Sequence, residues 1–123
     1  MVGPNSGVGP RAPGSERRAY ARVPFLKPVT VWAPPEGQPV EARTVDISLG
    51  GVGLACRASF RKGQVVVVAF RLNDPRRGQV EERVTGRVAN LVADDDGNRV
   101  GVEFAEPLHP TTYPALTRAV ERL

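Results

Sequence analysis

The chain has 123 residues, 41% hydrophobic and 24% charged, with a formal net charge of +4, a composition that suits one soluble domain with a real core. The single cysteine, Cys56, excludes an internal disulfide and fits a reducing compartment. No apolar run reaches the ~18 residues of a membrane span, and the opening MVGPNSGVGPRAPGS lacks the apolar segment of a secretory signal, so the expected location is the cytoplasm.

Residues 1–15 form a Gly-, Pro- and Ser-rich arm that cannot bury enough apolar surface to order itself. It runs into ERRAYAR, Glu16 to Arg22, and the domain is expected to occupy 16–123. The charge excess lies at this junction. Arg11, Arg17, Arg18, Arg22 and Lys27 oppose Glu16, whereas the rest of the chain balances twelve basic against twelve acidic residues. General nucleic-acid binders usually spread a basic stripe over the fold; a focused cluster better suits a small, doubly anionic ligand.

Beyond the arginines, valine-rich segments alternate with turn signals, and the pattern predicts strands. KPVTVWA (27–33) is the first, closed by PPEG. In PVEARTVDI (39–47) the alternation places Val45, Ile47 and Leu49 on one face and Thr44, Asp46 and Ser48 on the other. GVGLACR (51–57) points Val52, Leu54 and Cys56 inward, and QVVVVAFRL (64–72) points Val66, Val68, Phe70 and Leu72 inward. QVEERVTGRVANLV (79–92) is long, with Gly86 expected at a bend or bulge. Asp96-Gly97 is a hairpin turn pair, and RVGVEFA (99–105) turns Val100, Val102 and Phe104 inward. TTYPALTRAVERL reads as a helix capped by Thr111 or Thr112, with Pro114 early and Leu116, Val120 and Leu123 at helical spacing. The predicted fold class is all-β with a C-terminal helix: a small six-stranded antiparallel β-barrel whose end or edge the helix covers.

Two stretches carry chemistry. In DISLGG, Asp46 and Ser48 are expected to leave one face of a strand whose reverse face is packed, and Gly50-Gly51 permits a tight turn or a close backbone approach. In ERRAYAR, Arg17, Arg18 and Arg22 offer forked donors that match phosphate and the O6/N7 edge of guanine, and they can stack on a base. A carboxylate accepts from guanine N1–H and N2–H, so arginine and Asp46 together can read both edges of a guanine.

An R-x-x-x-R segment followed by D/N-x-S-x-x-G is the signature of PilZ domains, bacterial receptors for cyclic di-GMP, and from Glu16 onward the chain resembles that family. Arg18 and Arg22 match the first motif; Asp46, Ser48 and Gly51 match the second; GVEF (101–104) looks like the family's last strand. The resemblance implies a cyclic di-GMP-binding receptor or adaptor with a ligand site of Arg17, Arg18, Arg22, Asp46, Ser48, Gly50, Gly51 and Asn90. Asn90 falls where many members carry a stacking aromatic. Arg17, directly before R-x-x-x-R, is associated in the family with an intercalated ligand pair, so two cyclic di-GMP molecules per chain are expected, with a single one as the rival outcome. The signal would be the ordering of the arginine segment and altered contacts with an unknown downstream protein, the chain being a monomer or weak dimer with no membrane partner and no cofactor.

The rival readings are a PilZ-like protein-interaction module that does not bind nucleotide and a small β-barrel for single-stranded nucleic acid. The latter needs stacking platforms, whereas aromatics are only 6% of the chain. Catalysis is not expected. His109 is the only histidine, no base accompanies Ser48, and DDDGN lacks the spacing of a calcium loop. Cys56 reads as core.

Overall fold

The computed structural model describes residues 21–95 and 97–123. The arm at 1–15, Arg17, Arg18 and Asp96 lie outside the described residues. Within them the chain forms β1 (Val23–Pro24), β2 (Pro28–Trp32), β3 (Val40–Ile47), β4 (Gly51–Cys56), β5 (Val65–Asp74), β6 (Gly78–Asp94), β7 (Gly97–Phe104) and α1 (Pro114–Glu121). Neighbouring strands are antiparallel in the order β3-β2-β5-β6-β7-β4, and β4 returns to β3, closing a six-stranded barrel. This is the expected class, six strands and one C-terminal helix.

The two-residue β1 pairs with Ile47 and Asp46 on the edge of β3 that β2 uses further along. Between β1 and β2 the chain kinks at Phe25–Lys27, and Thr44 holds the kink. Its hydroxyl donates to Phe25 O and accepts from Lys27 N at 2.8 Å, while Thr44 N donates to Lys27 O at 2.8 Å.

The alternating valines fill the barrel as predicted. Val66, Val68 and Phe70 of β5, Val52 and Leu54 of β4, and Val100 and Val102 of β7 are almost wholly buried, and Leu116 of α1 is fully enclosed; each such side chain contributes about 1.5–3 kcal/mol. Cys56 is core, and burial pushes its thiol pKa up, which lowers its reactivity.

The structure corrects the predicted alternation of β3. Thr44 is fully buried and Val45 is only half-buried, the reverse of expectation, because a β-bulge shifts the register between Thr44 and Asp46. A second shift lies at Ala89, between Val88 and Asn90, rather than at Gly86. Gly86 instead marks a close approach of β6 to β7: a Cβ there would lie 2.5 Å from Glu103 O.

The helix start also differs. Thr111 and Thr112 belong to a turn around His109, whose carbonyl accepts from Thr112 N and Tyr113 N, and the N-cap is Tyr113, with no side-chain cap of its own. The cap comes from β6. Glu82 accepts from Ala115 N at 3.0 Å and Leu116 N at 2.8 Å, two donors that a helix start leaves without partners; the carboxylate also complements the helix dipole. Leu123 lies past the end of α1 and is exposed. Glu82→Ala is expected to lower stability by about 1–2 kcal/mol, as for a lost helix cap, and Tm by several degrees, with Glu82→Gln intermediate. Thermal unfolding checks this, and an unchanged Tm for Glu82→Ala contradicts the capping role.

Candidate functional site

Both bulges turn a polar side chain outward. Along β3, Thr44 and Ile47 both point into the core although they are three positions apart, an odd step that simple alternation would place on opposite faces; the bulge at Val45 makes this possible, and Asp46 thereby faces solvent. Along β6, Val88 and Leu91 both pack on the core across the irregularity at Ala89, which leaves Asn90 exposed. Bulges re-aim side chains in this way beside binding sites.

Asp46 is the partner of Gly53, Gly53 of Gly101, and Gly101 of Asn90. A single row therefore crosses four adjacent strands, β3-β4-β7-β6, with a carboxylate at one end, an amide at the other and two glycines between. Three interstrand gaps span roughly 14 Å. With Gly51, Gly53 and Ala55 on its outward positions, β4 gives this face a floor nearly free of side chains.

The polar groups lie down on that floor. A Cβ on Gly53 would meet Asp46 Oδ1 at 2.6 Å, one on Gly101 would meet Asn90 Oδ1 at 2.6 Å, and one on Gly51 would meet Arg22 Nη2 at 3.2 Å. Arg22, just ahead of β1, donates from Nη1 to Asp46 Oδ1 at 2.9 Å. Both side chains are about two-fifths exposed, so the pair adds little to stability, up to ~1 kcal/mol. Its consequence is positional: the last arginine of the first motif and the carboxylate of the second meet over the side-chain-free backbone of Gly51 and Gly53.

Cross-strand neighbours extend the charge. The next row, Arg43–Ala55–Arg99–Val92, adds two arginines, and on the other side Gly51 pairs with Glu103 and Glu103 with Arg87. The outward positions of these three rows hold no aromatic side chain, so a base lying here would stack on peptide planes and guanidinium groups.

The remaining predicted positions have other geometry. Ser48 does not project beside Asp46. It is past the end of β3, buried, and closes the turn to β4: its N–H donates to Gly51 O at 2.9 Å, and its Oγ accepts from Gly50 N at 3.1 Å. Gly50 O accepts from Phe104 N at 2.9 Å. Ser48 and Gly50 therefore shape the turn that presents Gly51. Gly53 and Gly101 were not singled out in the sequence, although glycine at an outward strand position signals a close approach. Arg17 and Arg18 lie outside the described residues, five and four positions before Arg22.

The PilZ domain family model matches residues 16–122. No curated protein matches the chain. Among solved structures, the Bacillus subtilis inhibitor of motility MotI/DgrA is similar at TM-score 0.68 and 18% identity, covering 88% of this chain and 52% of that one; the chain thus spans about half its length. The PilZ domain of CeSA, from a cellulose-synthesizing bacterium, gives TM-score 0.61 and 19% identity over 83% of this chain and 96% of that one. The PilZ domain of Escherichia coli YcgR, solved with c-di-GMP, gives TM-score 0.59 and 18% identity over 88% and 92%.

Proposed function

The chain belongs to the PilZ domain family, a family of cyclic di-GMP receptors, and on that premise we propose that it binds cyclic di-GMP on the glycine floor and signals through its arginine segment. The observation that carries this is the Arg22–Asp46 pair lying over Gly51 and Gly53. Asp46 accepts from N1–H and N2–H of one guanine, Arg22 turns its second face to a phosphate, and the bare backbone lets the purine approach to contact distance. Arg17 and Arg18 supply the further cations that two phosphates require. Asn90, at the far end of the row, contributes amide hydrogen bonds where an aromatic would stack. The similarity to YcgR, whose structure holds c-di-GMP, supports the ligand class.

In this reading the ligand draws residues 16–21 onto the barrel beside Arg22, which already pairs with Asp46. Fixing a residue costs about 1–2 kcal/mol, which charge-assisted hydrogen bonds of about 1.5–3 kcal/mol each offset. The output passes to a partner protein through the rearranged segment. One or two ligands per chain fit the motif, and the inflection of a titration far above Kd separates them.

Hydrogen exchange tests the switch. Amides of residues 17–23 are expected to slow on addition of cyclic di-GMP. Phe25 is expected to change little, since its N–H already bonds Val45 O, and β5 stays protected throughout. Saturable binding with no change at 17–23 would sink the ordering mechanism and leave the binding site standing.

A further inference from the structure

A concave surface lies at the other end of β6 from Asn90. The end of β5 and α1 enclose a cleft of about 120 Å³ whose apolar wall includes Leu72, Ala115 and Ala119, and whose polar lining includes Lys27, Arg118 and Arg122. Glu82, which caps α1, and Asn90, which ends the glycine row, are eight positions apart on β6, roughly 25 Å along the strand, so the cleft stands apart from the floor.

Among the described residues, the one carboxylate lining the cleft, Asp74, is already engaged. Asp74 accepts from Arg76 N at 2.8 Å and Arg77 N at 3.1 Å and faces Arg118 Nη1 at 3.4 Å and Arg77 Nη2 at 3.7 Å. The backbone bond from Arg76, helped by that from Arg77 and by both guanidinium groups, holds its carboxyl below the usual range. Lys27 and Arg122 have no ion-pair partner among the described residues. The cleft is thus a small apolar hollow rimmed by three cations and one saturated anion.

We propose that this cleft docks an acidic segment of a partner protein, with a carboxylate side chain between Lys27 and Arg122 and apolar residues against α1. Charge complementarity argues for that occupant, and the concave, partly apolar wall fits a side chain better than a flat lipid surface. The Thr44 clamp fixes Phe25–Lys27 from the barrel side, so the rim keeps its shape whatever Arg22 does. Docking here is constitutive and does not depend on the ligand reading above.

The test uses a fluorescent glutamate- and leucine-rich peptide and its lysine-for-glutamate counterpart, with the full chain and without nucleotide. The acidic peptide is expected to bind and the basic one not to. The pair Lys27→Glu with Arg122→Glu is expected to weaken binding about tenfold or more while cyclic di-GMP titrates as in wild type. Arg122→Glu alone, at the exposed end of α1, keeps the test intact when the double variant melts early. Equal binding of both peptides, affinity unaffected by Arg122→Glu in a folded protein, or binding to phosphatidylglycerol vesicles in place of the peptide overturns the proposal.

Discussion

Arg22→Ala is expected to weaken cyclic di-GMP binding by about tenfold to over a hundredfold, the equivalent of roughly 1.5–3 kcal/mol for a hydrogen bond to a charged group, and to leave the fold unchanged. The two parts of this expectation have separate causes. Arg22 is exposed and its ion pair with Asp46 is solvated, so removing it alters stability by no more than about 1 kcal/mol. In the complex the same guanidinium would bridge phosphate and Asp46 in a site the ligand has desolvated. Asp46→Ala is expected to act in the same direction, and the double variant to lose less than the sum, because the two groups share one network. Calorimetric titration of the three variants checks this. An Arg22→Ala protein that binds like wild type places the ligand elsewhere.

Alanine at Gly53 and at Gly51 is expected to separate site from scaffold. At Gly53 the new Cβ meets Asp46 Oδ1 at 2.6 Å, the movable end of a side chain. The carboxylate swings away, the Arg22 pair opens and the floor gains a methyl group where a base must lie. Binding should fall about tenfold or more, a loss of at least ~1.4 kcal/mol, with Tm nearly unchanged. At Gly51 the Cβ meets Val102 O at 2.5 Å, and that atom belongs to the β4–β7 ladder. The backbone must shift, so Gly51→Ala should destabilise the barrel by about 1–3 kcal/mol, the range for overpacking. Melting curves and titrations on both variants decide it; a Gly53→Ala protein with full affinity contradicts the flat-floor site.

The barrel was legible because its strands obey simple alternation. VVVVAF in β5 and GVEF in β7 bury the residues their period assigns, and the turn signals fall between the right segments. Asp46 was placed on the outer face correctly but through an alternation that β3 does not follow. The bulge at Val45 hides Thr44 and exposes Asp46, and a bulge leaves no mark in a hydrophobic pattern that reads plausibly either way. Ser48 was misplaced because it lies beyond the strand's end, where the period no longer applies.

The row Asp46–Gly53–Gly101–Asn90 was not readable at all. It depends on the register of four strands, which turns and bulges set jointly. Its glycines could have been flagged as strand positions without side chains, and Glu82 as a charge at an inward position between Val80 and Val84. Each signal becomes a site or a cap only once the tertiary partner is known.

The most direct measurement is an isothermal titration of the full chain with cyclic di-GMP, with GTP as control. Saturable, salt-sensitive binding of cyclic di-GMP at one or two equivalents is expected, weakened about tenfold or more in Arg22→Ala, with no comparable heat from GTP. Absence of binding by the folded wild-type protein, or equal binding of GTP, would contradict it.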